Sequence, residues 1–402
     1  MKSIEGFIQE HVTGRVEPLF APDEQANRAT LRGQVEGRQV LVIGGAGSIG
    51  SAFIKCLLPY EPAQLVVVDL NENGLTELTR DLRSSPNLPI PPDYRTYPID
   101  YASPIFESIF RENGGFDIVA NFSAHKHVRS EKDRYSVRAL LENNVLRAKE
   151  LMDLLLEYPP YRFFCVSTDK ATNPVNIMGA SKKLMEELVM AYADRFPVTS
   201  ARFANVAFSQ GSLPAGWVQR MEKRQPLVAP RDVRRYFVSP EESGQLCLLA
   251  CLLGNSGEVF FPRLEEEQMR DFASICDAFL RYNGYSPCPF EDEQEARRYA
   301  GQFGHGSSDW PVVYTQSDTT GEKPYEEFYT EGERVNLERF TALGVIENLP
   351  RRPLSEVEAF LEDLQGLFAR PDFSKAEVVR LLQTFLPAFT HEEKGRSLDD
   401  KM

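Results

Sequence analysis

From Gln39 onward, short apolar runs alternate with longer stretches in which apolar positions recur every three or four residues. "QVLVIGG" reads as a buried strand, "SIGSAFIKCLL" as a helix, "QLVVVDL" as a second strand and "ENGLTELTRDLRSS" as a second helix. The alternation continues through "FDIVANFSA" (strand), "ALLENNVLRAKELMDLLLEY" (helix), "RFFCVSTD" (strand) and "MGASKKLMEELVMAYADRF" (helix). Strands without polar interruption, separated by helices, predict an α/β fold: a doubly wound parallel sheet of the Rossmann kind over residues 39–206.

The flanks follow other patterns. Residues 1–38 are polar and mixed, with one helical spacing (Ile4, Phe7, Ile8, Val12), and predict an N-terminal arm or small cap. After "VTSARFANV" the chain is more irregular and richer in Pro and Gly. Residues 207–350 are therefore expected to form a smaller substrate-binding region at the strand ends, where ligands bind in such sheets. In 351–402, Ser355 with Glu358 and Ser374 with Glu377 make capping-box patterns that predict two terminal helices for packing or assembly. The last residues, "HEEKGRSLDDKM", read as a solvated tail.

Composition narrows the partners. A formal charge of -14 argues against nucleic acid or an anionic membrane surface, either of which would be repelled. The apolar run "LCLLACLLG" falls well short of the ~20 residues a membrane helix needs, and "MKSIEGFIQEHVTG" lacks the apolar core of a secretory signal. No membrane insertion and a cytoplasmic location are expected. The six cysteines form no CxxC pair and mostly sit in apolar runs, as reduced core residues do; of the five histidines only His125 and His127 lie close together, so no metal site is expected.

The chemistry concentrates at two places. "GGAGSIG" puts Gly44, Gly47, Ser48, Ile49 and Gly50 at a strand-to-helix turn, where a tight bend and close backbone approach suit a dinucleotide pyrophosphate. Asp69 ends the next strand where a carboxylate would hydrogen-bond the adenosine ribose and repel the extra phosphate of NADP, so NAD is favoured over NADP. A helix N-cap is the alternative role for Asp69. Asp100, in "YPID", is placed to reach the adenine region, with a turn residue as the alternative.

The second place is "STDKATNPVNIMGASKK" (167–183). With the glycine turn, Thr168 at a strand end and Lys182 opening the next helix, the chain resembles the extended short-chain dehydrogenase/reductase family. Within it the chain looks like the UDP-N-acetylglucosamine 4,6-dehydratase branch of polysaccharide biosynthesis. The resemblance runs from Gln39 to about residue 265 and returns in "SDTTGEKPYEEF" around Thr320 to Phe328. "NFSAHKHV" with Lys126, Asn144 in "ENNVLRAKEL", and "RFANVAFSQGS" with Asn205 match family segments, and Arg235 and Arg263 fall in segments that in relatives face the nucleotide sugar. For Lys126, Asn205, Arg235 and Arg263 the resemblance implies substrate binding.

It also implies a reaction: oxidation of sugar C4, loss of water across C5 and C6, and return of the hydride to C6. In it Asp169 would act as acid at C6, Lys170 as base at C5, Thr168 as partner of the C4 hydroxyl, and Lys182 as ligand of the nicotinamide ribose. To work as a base near pH 7, Lys170 must hold its proton far less tightly than a free lysine, whose pKa is ~10.4. Met178 stands where the family carries its catalytic tyrosine, four residues before Lys182. Thioether sulfur cannot take a hydroxyl proton, although some relatives, notably large membrane-bound forms, share the methionine. A sugar epimerase, or a catalytically silent NAD or nucleotide-sugar binding module, remain the alternatives to a dehydratase. The resemblance further implies a UDP-sugar substrate and association into at least a dimer.

Overall fold

The computed structural model describes residues 3–302, 307–316, 327–347 and 349–391 of the 402. Its centre is a nine-stranded sheet. In chain order the strands are β1 (Gln39–Ile43), β2 (Gln64–Val68), β3 (Asp93–Tyr97), β4 (Ile118–Asn121), β5 (Arg162–Val166), β6 (Val198–Ala201), β7 (Glu258–Pro262), β8 (Val335–Asn336) and β9 (Leu343–Ile346). They lie side by side as β8-β9-β7-β6-β5-β4-β1-β2-β3. The seven strands from β7 to β3 pair in parallel, and β9 closes the far side antiparallel to both β7 and β8.

Every residue of β2, and every residue of β1 but the first, is buried, because helices cover both faces of the sheet. Helix α1 (Ser48–Leu57) follows β1, and α2 (Ile177–Ala191) follows β5. The run "LCLLACLL" lies in α3 (Pro240–Leu253), capped by Ser239 and Glu242 and buried almost all round. An added Cβ at Gly244 would run into the Ala52 carbonyl, so α3 packs backbone-close against α1. No helix among the described residues is long and apolar enough to cross a membrane.

Three expectations change. The boundary at 206 is crossed, because β7, β8 and β9, from the region assigned to substrate binding, complete the main sheet. Its neighbour in that region is a parallel three-stranded sheet of Leu227–Pro230, Asp309–Thr315 and Ser286–Phe290, built over a second core around Trp217 and Phe279. The N-terminal arm packs on both bodies, Phe7, Ile8 and Val12 in the second core and Phe20, Leu31 and Val35 in the main one. Phe7 packs edge-on to Phe279 at 5.4 Å, Arg15 makes two 2.8 Å hydrogen bonds to Glu242, and Asp23 accepts from the amides of Thr341 (2.7 Å) and Ala342 (2.8 Å) at the start of β9.

The third change concerns the terminal helices, α4 (Leu354–Ala369) and α5 (Lys375–Phe385). The Ser374–Glu377 capping box forms, but α4 starts from Pro353 with no side-chain cap, leaving Ser355 inside the first turn. Proline's fixed φ is already suited to a helix start. The helices lie against the Rossmann layer through Arg352 to Glu187 (2.5 Å) and Lys149 to Glu358 (3.1 Å). The tail beyond residue 391 is outside the described residues.

Asp23→Ala strips both amides of their acceptor and is expected to lower the unfolding free energy by about 2–3 kcal/mol. Asp23→Asn, which keeps an oxygen acceptor, should lose less than half as much. Denaturant titration measures both, and a change below ~0.5 kcal/mol in the alanine variant would show that the arm is not tied to β9 through this carboxylate.

Candidate active site

The parallel register sets the site. Ile43 pairs with Val68 on one side and Asn121 on the other, and Asn121 pairs with Cys165, so β1, β2, β4 and β5 end at nearly one level. The glycine turn, Asp69, the loop after Asn121 and the segment from Ser167 therefore leave the sheet along one edge. Strand order reverses between β1 and β4, where such sheets open a crevice.

At the turn, Gly44 has φ +75, and an added Cβ there would lie 2.7 Å from the Ser123 amide. A Cβ on Gly50 would run into the Gly44 carbonyl. Gly47 is the N-cap of α1, and Ser48 opens it, its Oγ accepting from the Gln210 amide at 2.8 Å. Asp69 aims its carboxylate back at the turn, taking the Ala46 amide at 3.0 Å and the Asn71 amide at 2.9 Å. The N-cap of the next helix is Asn71, so the capping role considered for Asp69 falls to its neighbour. The glycine-lined turn and the helix N-terminus fit a dinucleotide pyrophosphate, with Asp69 beside them.

Asp100 lies in the bend after β3. Its carboxylate accepts from the Ala102 amide at 3.0 Å and pairs with Arg147 at 2.9 Å, facing a separate cleft beside Arg138 and Phe368. These contacts suit a turn residue, since the chain bends three residues after β3 ends.

Beside the turn lies a cavity of about 680 Å³. Ile49 reaches it from α1, and Lys126 from the loop after β4. Thr168, Asp169 and Lys170 form one wall, Met178 and Lys182 another, and Asn205 and Arg235 lie on the side of the smaller sheet. Arg263 does not line it: its guanidinium donates to the Leu337 carbonyl at 3.3 Å, because β7 carries it toward β9. Arg220, from the helix Leu213–Glu222, also lines the cavity, and the sequence around it gave no sign of this.

The strand-end residues form a tight set. Thr168 Oγ1 donates to Asp169 Oδ1 at 2.8 Å, and both the Lys170 amide (2.9 Å) and Lys170 Nζ (3.1 Å) reach the same oxygen. Asp169 is buried. Lys182 Nζ donates to the Val166 carbonyl at 3.0 Å. Burial pushes its ammonium below the usual lysine range, while Cys165 and Glu186 pull it back up.

Behind this wall is a buried network. Ser167 Oγ donates to Glu186 at 2.6 Å, and Arg202 grips Glu186 through two 2.9 Å bonds. Arg202 also reaches Glu333 and the Phe328 carbonyl. Burial raises the Glu186 carboxyl, but Arg202, Lys183 and Ser167 outweigh it and hold the group at about 2. The motif around Thr320 falls mostly outside the described residues; its end is docked here through Phe328, and Glu327 accepts from Asn173 at 3.0 Å.

The helix start is held as firmly. Asn176 caps the Gly179 amide at 2.7 Å, and the Met178 amide donates to Glu131 at 2.8 Å. Asn144, inside a π-helical turn, bonds both His125 backbone groups and Ser181 Oγ, which donates to the Met178 carbonyl. Met178 itself is buried against the cavity.

A model of the polysaccharide biosynthesis protein family matches residues 40–347. The uncharacterized membrane protein MJ1061 of Methanocaldococcus jannaschii is 29% identical over 316 residues, covering 77% of this chain and 85% of that protein. A UDP-N-acetylglucosamine 4,6-dehydratase (inverting) of Campylobacter jejuni is 26% identical over 248 residues, 59% of this chain and 70% of the enzyme. The capsular polysaccharide biosynthesis protein CapD of Staphylococcus aureus is 27% identical across 61% of this chain, which spans only 41% of CapD. Among solved structures, Pen from Bacillus thuringiensis superimposes with a TM-score of 0.60 at 19% identity, covering 79% of this chain and 89% of Pen. The dTDP-glucose 4,6-dehydratase DesIV of Streptomyces venezuelae, with NAD bound, gives 0.54 at 19%, covering 72% and 88%. That family match encloses the glycine turn and the whole wall from Thr168 to Lys182, and this chain belongs to the polysaccharide biosynthesis protein family, on a Rossmann-like α/β fold.

Proposed function

We propose that the protein is an NAD-dependent nucleotide-sugar 4,6-dehydratase that converts UDP-N-acetylglucosamine to a UDP-4-keto-6-deoxy sugar. The observation that carries this reading is the Thr168–Asp169–Lys170 set on the cavity wall, where a hydroxyl, a buried carboxylate and an amine meet at one oxygen. C4 epimerisation has no use for an elimination acid and base, whereas dehydration needs both. NAD, once held by the Gly44–Gly50 turn with Asp69 on its ribose, supplies hydride acceptance and return.

The residues divide the proton work. Thr168 accepts the C4 hydroxyl's hydrogen bond and passes a proton to Asp169 along its 2.8 Å bond. This chain of hydroxyl and carboxylate takes the place of a tyrosine, which Met178 cannot fill. Asp169 then holds the proton that the departing C6 hydroxyl requires. Its charge no longer pins Lys170 as an ammonium, so Lys170 releases its proton to solvent, takes the C5 proton in its neutral form, and gives a proton back to C5 when C6 becomes a methyl group. Lys182 stays cationic beside the ribose, and Arg235 and Arg220 give this acidic protein local positive charge for a diphosphate.

Incubation with UDP-N-acetylglucosamine in heavy water, followed by NMR, is expected to yield a C6 methyl group with deuterium at C5. An unchanged sugar across several nucleotide sugars, with NAD still bound, would establish the silent module instead, and inversion at C4 alone would establish an epimerase. Asp169→Asn should block C4 oxidation as well as elimination, reducing turnover by about 10²–10⁴-fold. A variant that still reduced NAD rapidly with bound sugar would sink the shared proton.

Glu186→Gln removes an anion that supports the Lys182 ammonium. A lysine loses its charge as pH rises through its pKa, so lowering that pKa moves the alkaline fall in kcat/KM to lower pH. A variant whose activity is scaled down at every pH, with the alkaline limb unmoved, would show that Glu186 acts only on the fold.

A further inference from the structure

Glu131 is a buried carboxylate for which the proposed reaction has no direct use. It ends the short helical turn Val128–Glu131, at the far end of the loop that brings Lys126 to the cavity. Its side chain is 5% exposed. Oε1 accepts the Met178 amide at 2.8 Å, two residues into α2, where a helix has no backbone acceptor of its own to offer. A carboxylate there also meets the positive end of the helix dipole. The bond thus ties the Lys126 loop to the helix that carries Met178 and Lys182.

Two further polar contacts of Glu131 come from the C-terminal segment. Its carbonyl accepts from Lys375 Nζ at 3.0 Å, at the start of α5. Its Oε2 is buried with no hydrogen-bond partner among the described residues, and His391 Nε2, equally buried and without one, stands 3.9 Å away. His391 is brought there by the residues after α5: Phe389 is buried in the main core, and the Thr390 amide donates to the Pro174 carbonyl at 3.3 Å, on the segment between Lys170 and α2. A buried carboxylate oxygen and a buried ring nitrogen held face to face make a contact specific to this docking.

We infer that Glu131 is a positioning residue of the active site: its carboxylate fixes the start of α2 against the Lys126 loop, and His391 and Lys375 of the C-terminal segment fix Glu131 in turn. The inference rests on the dehydratase reading for its kinetic consequence, but not for its structural one. Without tyrosine, the wall formed by Met178 has no hydroxyl to bond to substrate, so its place depends on backbone contacts such as this.

Two measurements on the full chain separate these dependences. Hydrogen exchange over residues 176–180 needs no turnover. Glu131→Ala should speed exchange at the Met178 amide by about ten- to a hundredfold, whereas Glu131→Gln, which keeps an oxygen at Oε1, should stay near wild type. His391→Ala should speed the same exchange by a smaller factor. Turnover of UDP-N-acetylglucosamine should show a matching fall in kcat for Glu131→Ala, with KM and NAD affinity little changed and rescue in Glu131→Gln. Unaltered exchange in Glu131→Ala overturns the proposal whatever the enzyme does. Faster exchange in Glu131→Ala with unaltered exchange in His391→Ala overturns the part given to the C-terminal segment. A fall in kcat matched by an equal loss of NAD affinity and of thermal stability, with no rescue by glutamine, overturns the positioning role in favour of general support of the fold. If no sugar is turned over by wild type, the dehydratase reading fails while the exchange result still decides the contact.

Discussion

The parallel pairing of β1 with β2 on one side and β4 on the other is the constraint on which the rest depends. Parallel neighbours cannot be joined by a tight turn, so each needs a crossover, and each crossover covers the sheet with a helix. Because the register keeps the strand ends nearly level, every loop that bears chemistry leaves from one edge. The glycine turn, Asp69 and the Thr168 segment are brought together by this geometry although more than a hundred residues separate the first from the last. The antiparallel β8 and β9 lie at the far side of the sheet from the turn, where they hold the N-terminal arm through Asp23.

A second layer of order comes from buried charge. Arg202 has no exposed surface, and its guanidinium is bound by Glu186, Glu333 and the Phe328 carbonyl. A cation in such a place is tolerable only when its donors are matched, so the network joins the end of β5, the body of α2 and the 328–333 segment in one arrangement. Lys182 lies one turn before Glu186 on α2, so the network that holds the wall also sets the field at the cavity.

Much of this was legible in the sequence where neighbours in the chain are neighbours in space. Strands β1, β2, β4 and β5 announce themselves as apolar runs, and Thr168, Asp169, Lys170, Met178 and Lys182 fall on one wall pair because a strand end and the next helix start must lie together. Arg235 and Asn205 line the cavity. Arg263 does not line it, since a segment match says nothing of the rotation that carries Arg263 toward Leu337. The boundary at 206 failed for a related reason. β7 and β9 are short apolar runs in irregular surroundings, and only the pairing of β7 with β6, and of β9 with β7, marks them as parts of the main sheet.

The amino-acid order by itself determined the α/β alternation, the glycine turn and the replacement of a titrating side chain by Met178, because each is a matter of local residue chemistry and period. Tertiary structure decided that Glu131 and His391 face each other across 260 residues of chain, that Arg202 meets Glu333, and that the arm belongs to the body. Those contacts depend on which surfaces are buried against each other, and a buried polar group finds its partner wherever packing brings one within reach.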